Sequence, residues 1–144
     1  MKTRLASFII IVSSFMGGGI LQAQIIGQLD ANIPFPFHVG SAKFPAGKYI
    51  IRPLDDSDGS LMEIQSAEGK SAALFEVRPD VAQTSPRISE LIFNQSDDRY
   101  FLAKLFDEGV SSGNAVVDIG YSKKYGVNLQ AGAVQHVPAH HSRK

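Results

Sequence analysis

Residues 32–40 read "NIPFPFHVG", a stretch in which apolar residues occupy every second position. The apolar positions are Ile33, Phe35, Phe37 and Val39. A period of two predicts a half-buried β-strand. Pro34 and Pro36 fall on the alternate positions, so both remove a backbone donor from the same lateral side of that strand. Because proline is tolerated on edge strands, we expect residues 32–40 to form an edge strand protected against pairing with other molecules.

Short alternating segments separated by turn residues follow this stretch. The predicted strands are 48–52, 61–65, 71–77, 88–93, 100–106 and 115–119. Pro79 is expected to end the strand 71–77, and residues 80–87 are expected to form a loop. No segment up to residue 106 shows a helical apolar stripe. The pattern predicts an all-β fold, either an antiparallel β-sandwich or a small β-barrel of about six to eight short strands.

The N-terminal segment has the three parts of a secretory signal peptide. Lys2 and Arg4 precede an apolar run, and Ala23 occupies a cleavage position. The run is shorter than the ~20 apolar residues of a membrane-spanning helix. We therefore expect a signal peptide at 1–23, cleavage after Ala23, a secreted or periplasmic protein, and no membrane span after cleavage.

The remaining chain divides into two parts. Residues 24–119 are expected to form the all-β domain. Residues 120–144 mix glycine, alanine, glutamine and histidine without periodicity, so they are interpreted as a poorly ordered tail. One helical turn at 122–125 is the only regular structure expected there.

Charge and cysteine content narrow the function classes. Basic and acidic residues both number 14, so removal of Lys2 and Arg4 leaves a net charge of about −2, which gives no general attraction to nucleic acid or anionic membrane. The chain contains no cysteine, which excludes thiol catalysis, thiolate zinc sites and disulfides. Stability must therefore come from the apolar core.

Asp55, Asp56 and Asp58 in the turn "LDDSDGS" are the candidate metal ligands. Clustered carboxylates suit a hard cation such as calcium. The EF-hand pattern fails, because Leu54 takes the first ligand position and Gln65 takes the position of the bidentate glutamate. An acidic hairpin turn is the interpretation, with a weak surface calcium site as the alternative. No cofactor is expected.

The histidines give no metal site by their pattern. His136, His140 and His141 fall in the predicted tail, where "HVPAHH" has a composition that scavenges transition metals. A structural metal site needs ligands held on a scaffold, which a disordered tail lacks. His38 is expected to face solvent on the polar side of the edge strand.

Catalytic patterns are also missing from the sequence. The predicted domain contains one histidine and no G-x-S-x-G motif, so no catalytic residues are assigned. Carboxylates that meet only in the folded chain stay open as an acid–base pair. The residues concerned are Glu63, Glu76, Glu90, Asp97 and Asp98.

Three segments together resemble a known family. They are "NIPFPFHVGSAKFPAGKYIIRPLD", "LMEIQSAEGK" and "LIFNQSDDRYFLAKLFDEG", within residues 31–114. They are similar to small secreted proteins found mainly in acidobacterial genomes, which share the signal peptide, the proline-containing strand, the PAG-x-Y turn and the "DRYFL" hairpin. The resemblance implies a bacterial, extracytoplasmic setting and supplies no catalytic or binding residues.

Two functions from different classes remain. The first is an exported, non-enzymatic β-domain that binds a protein or another envelope component. The second is a small ligand-binding barrel or hydrolase whose polar site is assembled from separate strands. A deep pocket with clustered carboxylates favours the second function, and a filled core favours the first.

Overall fold

The computed structural model describes residues 27–54, 58–117 and 133–142, and in these ranges the chain forms ten β-strands and no helix. The strands are β1 (Leu29–Ile33), β2 (Phe37–Val39), β3 (Ala42–Phe44), β4 (Gly47–Pro53), β5 (Leu61–Ser66), β6 (Ala72–Val81), β7 (Glu90–Ser96), β8 (Arg99–Phe106), β9 (Ser112–Val116) and β10 (Val134–His141). The predicted signal peptide, its cleavage site and the predicted helical turn at 122–125 lie outside the described residues. Within the described ranges, no helical segment has the length and hydropathy needed to cross a membrane.

Eight strands close into an antiparallel β-barrel. Their order is β8-β7-β10-β1-β4-β5-β6-β9, and β9 pairs again with β8. The hairpin of β2 and β3 joins β8 through a parallel bridge between His38 and Phe101, ahead of the part of β8 that pairs with β9. The predicted all-β fold with a small barrel is confirmed.

Apolar side chains fill the barrel interior. In most strands alternate residues point inward, as the period-two pattern predicts, whereas β8 and β9 bury neighbouring residues. The largest fully buried apolar side chains are Phe37, Phe44, Phe93, Leu29, Ile33, Ile51, Met62, Ile64, Leu91 and Leu105. Rings of Phe37, Phe44, Tyr49 and Phe93 contact one another with centroid separations of 5.0–5.7 Å. The interior is a packed core.

The edge-strand prediction for residues 32–40 is wrong. The stretch is divided between β1, which ends at Ile33, and β2, which begins at Phe37. β1 is not an edge, because β10 pairs with one side and β4 with the other. Pro34 and Pro36 are exposed in the segment that connects β1 to β2. Because they lack backbone donors, the hydrogen bonding of β1 ends before that of β2 begins.

Pro79 does not end its strand, which is a second correction. β6 continues to Val81 because its first half pairs with β5 and its second half with β9. On the β9 side, the hydrogen bonds from Val117 N to Glu76 O and from Ala82 N to Ser111 O place the bonded pairs at even-numbered residues of β6. Pro79 therefore faces away from β9, beyond the end of β5, and its missing donor costs no ladder bond. The loop then begins at residue 82 rather than 80.

The tail prediction is wrong for residues 134–141, which form β10. This strand lies between β7 and β1 and completes the barrel. Only Val137 and Ala139 point into the core, with 2% and 1% exposure, so its apolar pattern is too short to recognise in the sequence. Pro138 stands one residue beyond the last pair with β1, Ala31–Ala139, and ends that ladder.

Candidate functional site

A serine, an aspartate and a histidine meet at one end of the barrel. Ser89 precedes β7, Asp107 follows β8, and His141 is the last residue of β10. The Ser89 hydroxyl donates to Asp107 Oδ1 over 2.6 Å, and His141 Nε2 lies 2.6 Å from the same oxygen. The three chain segments are joined at one carboxylate.

Backbone amides complete this cluster. The amide of Glu108 donates to Asp107 Oδ1 (2.8 Å) and to Ser89 Oγ (3.1 Å), and the amide of Ala139 donates to the Ser89 carbonyl (2.8 Å). Burial raises the pKa of Asp107, but the hydrogen bonds from Ser89, His141 and Glu108 outweigh it and hold that pKa below its usual value. The carboxylate is therefore stabilised in its ionised form.

The order of the three side chains does not suit nucleophilic catalysis. A serine nucleophile needs a base, usually histidine, that takes its proton while a carboxylate orients the base. Here Asp107 stands between Ser89 and His141. Ser89 is 2% exposed, its hydroxyl already donates to Asp107, and its oxygen already accepts from Glu108. The hydrogen bonds therefore hold three chain segments together: the start of β7, the turn after β8 and the end of β10.

The histidines lie in ordered structure. His136 Nδ1 is 2.8 Å from Glu90 Oε2 across β10 and β7. His140 lies opposite Asp30 in the register of β10 and β1. His38 is half-buried rather than solvent-facing, and its ring stacks on Phe101 at 5.2 Å. Burial lowers the pKa of His38, and the nearby charges of Lys43 and Arg99 lower it further.

The candidate metal ligands are only partly described. Asp55 and Asp56 lie outside the described residues. Asp58 is exposed and accepts a hydrogen bond from the Ser60 amide at 3.1 Å, and hydrogen bonding to Ser60 lowers its pKa. In the part of the chain that the structure describes, no three histidine or acidic side chains are grouped as metal ligands.

The five carboxylates considered as an acid–base pair are either in ion pairs with basic side chains or at exposed positions. Glu90 pairs with His136, and Glu63 forms an ion pair with Arg52 at 2.7 Å. Glu76 lies on the exposed face of β6, and Asp97 and Asp98 lie in the turn between β7 and β8.

A groove of about 310 Å³ runs over the outside of β10, β1 and β4. Its polar side chains are Asp30, Asn32, Lys48 and His140, and Ile50 lies among them. The turn after β5 borders it, since the Ala67 amide donates to the Lys48 carbonyl at 2.9 Å. A second groove of about 250 Å³ lies between that turn and the turn before β4.

Asp30 is a carboxylate of the groove that forms no ion pair with a described residue. Its Oδ1 atom is buried and accepts no hydrogen bond from any described residue. A buried acceptor without a partner costs free energy and needs an explanation. Sequence reasoning missed Asp30 because a lone aspartate in "LDANI" has the spacing of any outward-facing strand residue.

No protein-family model matches the chain, and no curated protein or solved structure matches it.

Proposed function

We propose that the chain is an exported, non-enzymatic β-barrel module that binds an envelope or extracellular partner on the outside of its barrel. The observation that carries the proposal is the filled interior. Buried side chains of the barrel strands, such as Ile51, Ile64 and Phe93, fill the space in which barrel proteins with internal sites hold a ligand. Recognition is thereby left to the outer face, where the larger described groove lies.

The geometry of the Ser89–Asp107–His141 cluster also supports a non-enzymatic role. A hydrolase would need a site assembled from separate strands, and this cluster is the arrangement that comes nearest to one. Its serine is buried, and the serine hydroxyl donates its hydrogen bond to the carboxylate rather than to a base. The extracytoplasmic setting rests on the N-terminal segment and on the family resemblance.

An activity assay separates the binding module from a hydrolase. Purified wild type and Ser89→Ala are compared on p-nitrophenyl acetate and butyrate, after circular dichroism has shown that both are folded. We expect equal background turnover from the two proteins. Turnover by the wild type that is lost in Ser89→Ala would contradict the non-enzymatic assignment.

Export and partner binding are tested on the full chain expressed in a Gram-negative host. We expect the protein in the periplasmic fraction with a mass that begins at Gln24. Cross-linking in the intact envelope should then give a defined adduct. A cytoplasmic protein that retains Met1, or an exported protein without any adduct or ligand-induced rise in Tm, would contradict the proposal.

A further inference from the structure

Four polar side chains from three adjacent strands line the outer groove. The strand register brings them together, since Asp30 pairs with His140 of β10 and with Ile50 of β4, while Asn32 pairs with Lys48. Cross-strand neighbours of this kind have Cβ atoms about 5 Å apart. The groove is thus built on strands of the closed barrel, which hold its side chains at fixed spacing.

Two opposite charges in this groove have no ion-pair partner among the residues that the structure describes. Asp30 Oδ1 is buried and unbonded, and no ion pair joins Lys48 to a described residue. Two other carboxylates on barrel strands have a cationic partner, since Glu63 pairs with Arg52 and Asp80 pairs with Lys104. The Asp30 carboxylate and the Lys48 ammonium therefore lie in one groove of about 310 Å³ without an ion pair to a described residue.

The chemistry of the four side chains indicates the ligand. Asp30 accepts hydrogen bonds, Lys48 donates them, and the Asn32 amide and His140 imidazole do both. A hydroxyl group also both donates and accepts, so a row of neighbouring hydroxyls can satisfy all four side chains. A zwitterion would use the two charges and leave Asn32 and His140 without a role.

The apolar part of the groove fits the same ligand class. Ile50 and Ala67 lie beside the polar side chains and match the C–H face of a sugar ring. The volume is at the lower end of small-molecule sites, which span roughly 300–1,000 Å³. We propose that the groove formed by Asp30, Asn32, Lys48 and His140 binds a neutral sugar unit through its hydroxyls. This inference rests on the proposed function, of which it names the ligand class.

Titration followed by amide chemical shifts tests the site. The probes are glucose, N-acetylglucosamine, maltose and, as the zwitterion arm, glycine and L-lysine. We expect saturable shifts of residues in β10, β1 and β4 with at least one sugar. In Asp30→Asn the affinity should fall about tenfold or more, because a charge-assisted hydrogen bond is lost.

The matched control is Glu76→Gln, which neutralises an exposed carboxylate on the outer face of β6 outside the groove. Its affinity for the sugar should equal that of the wild type. Lys48→Gln provides a second groove variant if Asp30→Asn does not fold, and it should also weaken binding. A sugar affinity unchanged in both groove variants would overturn the site.

A stability measurement distinguishes a binding role of Asp30 from a structural one. Without sugar, Asp30→Asn should melt within a few degrees of the wild type, because Asp30 Oδ1 accepts no hydrogen bond from a described residue that the change would remove. A fall in Tm of Asp30→Asn alone would overturn the binding role of that carboxylate.

The titration outcomes also separate this inference from the proposed function. Binding of glycine or lysine without any sugar would overturn the sugar assignment. Absence of binding by every probe would overturn it too, while an envelope adduct in the cross-linking experiment would leave the proposed function standing.

Discussion

Asp107 joins three chain segments at one end of the barrel. Its carboxylate accepts from the Ser89 hydroxyl and the Glu108 amide, and it contacts His141. Through these contacts one side chain fixes the start of β7, the turn after β8 and the end of β10. The ionised carboxylate is what makes all three contacts favourable.

Replacement of Asp107 by asparagine should lower the free energy of unfolding at pH 7 by about 1–2 kcal/mol, since the contacts are partly exposed. The pKa of Asp107 is lower in the folded chain, because the hydrogen bonds outweigh burial. Such a group stabilises the fold above its unfolded pKa, and this stability is lost as pH falls through its folded pKa. The difference between wild type and variant should therefore shrink below about pH 4.

Urea denaturation at pH 7 and at pH 3 measures this difference. Asp98→Asn, in the exposed turn between β7 and β8, is the control and should match the wild type at both pH values. A destabilisation of Asp107→Asn that is equally large at pH 3 would show that the charge is not responsible.

The prolines mark positions at which a strand cannot donate a backbone hydrogen bond to a neighbouring strand. Pro34 and Pro36 separate β1 from β2, whereas Pro79 and Pro138 stand inside strands where the facing ladder has ended. The sequence correctly indicates that a proline removes a backbone donor from one side of a strand and leaves the other side able to pair. It does not show which neighbour each side has, because pairing is decided by strands distant in the chain.

Replacing Pro34 and Pro36 together by threonine tests the observed strand break. An edge strand would gain donors and associate, but β1 is already paired on both sides. We expect an unchanged elution volume in size exclusion and a loss of about 0.4–1 kcal/mol per proline, because the unfolded chain gains entropy. Concentration-dependent association of the variant alone would support an edge strand instead.

Gly113 of β9 lies opposite Phe106 of β8, where the structure leaves no room for a side chain. A Cβ atom there would overlap the Phe106 ring and the Leu105 carbonyl oxygen. Gly113→Ala should therefore destabilise the fold by about 1–3 kcal/mol, as overpacking does. Ser112→Ala, one position earlier and exposed, should change stability by less than about 0.5 kcal/mol. Equal unfolding midpoints in urea for the two variants would refute the close contact.

The barrel depends on pairing between its first and last described strands, β1 and β10. β10 lies between β7 and β1, so the barrel closes only when the C-terminal strand is in place. Local alternation in the sequence predicts the all-β class, most strands and their inward faces. It does not predict β10, where two small apolar residues, Val137 and Ala139, give too little pattern.

The candidate sites are hidden in the sequence for the same reason. Ser89 and His141 lie 18 and 34 residues from Asp107, so no local motif joins them. The outer groove likewise needs β10 for His140, β1 for Asp30 and β4 for Lys48. Both arrangements exist only after the barrel has closed.

The unfolding transitions of Val137→Asp and Val134→Asp test the closed barrel most directly. The two residues belong to the same strand, but Val137 is 2% exposed in the core and Val134 is 53% exposed. We predict that Val137→Asp loses the cooperative melting transition, because it buries an unpaired charge. Val134→Asp should melt within a few degrees of the wild type. Wild-type melting of both variants would contradict a barrel closed by β10 and the groove that depends on it.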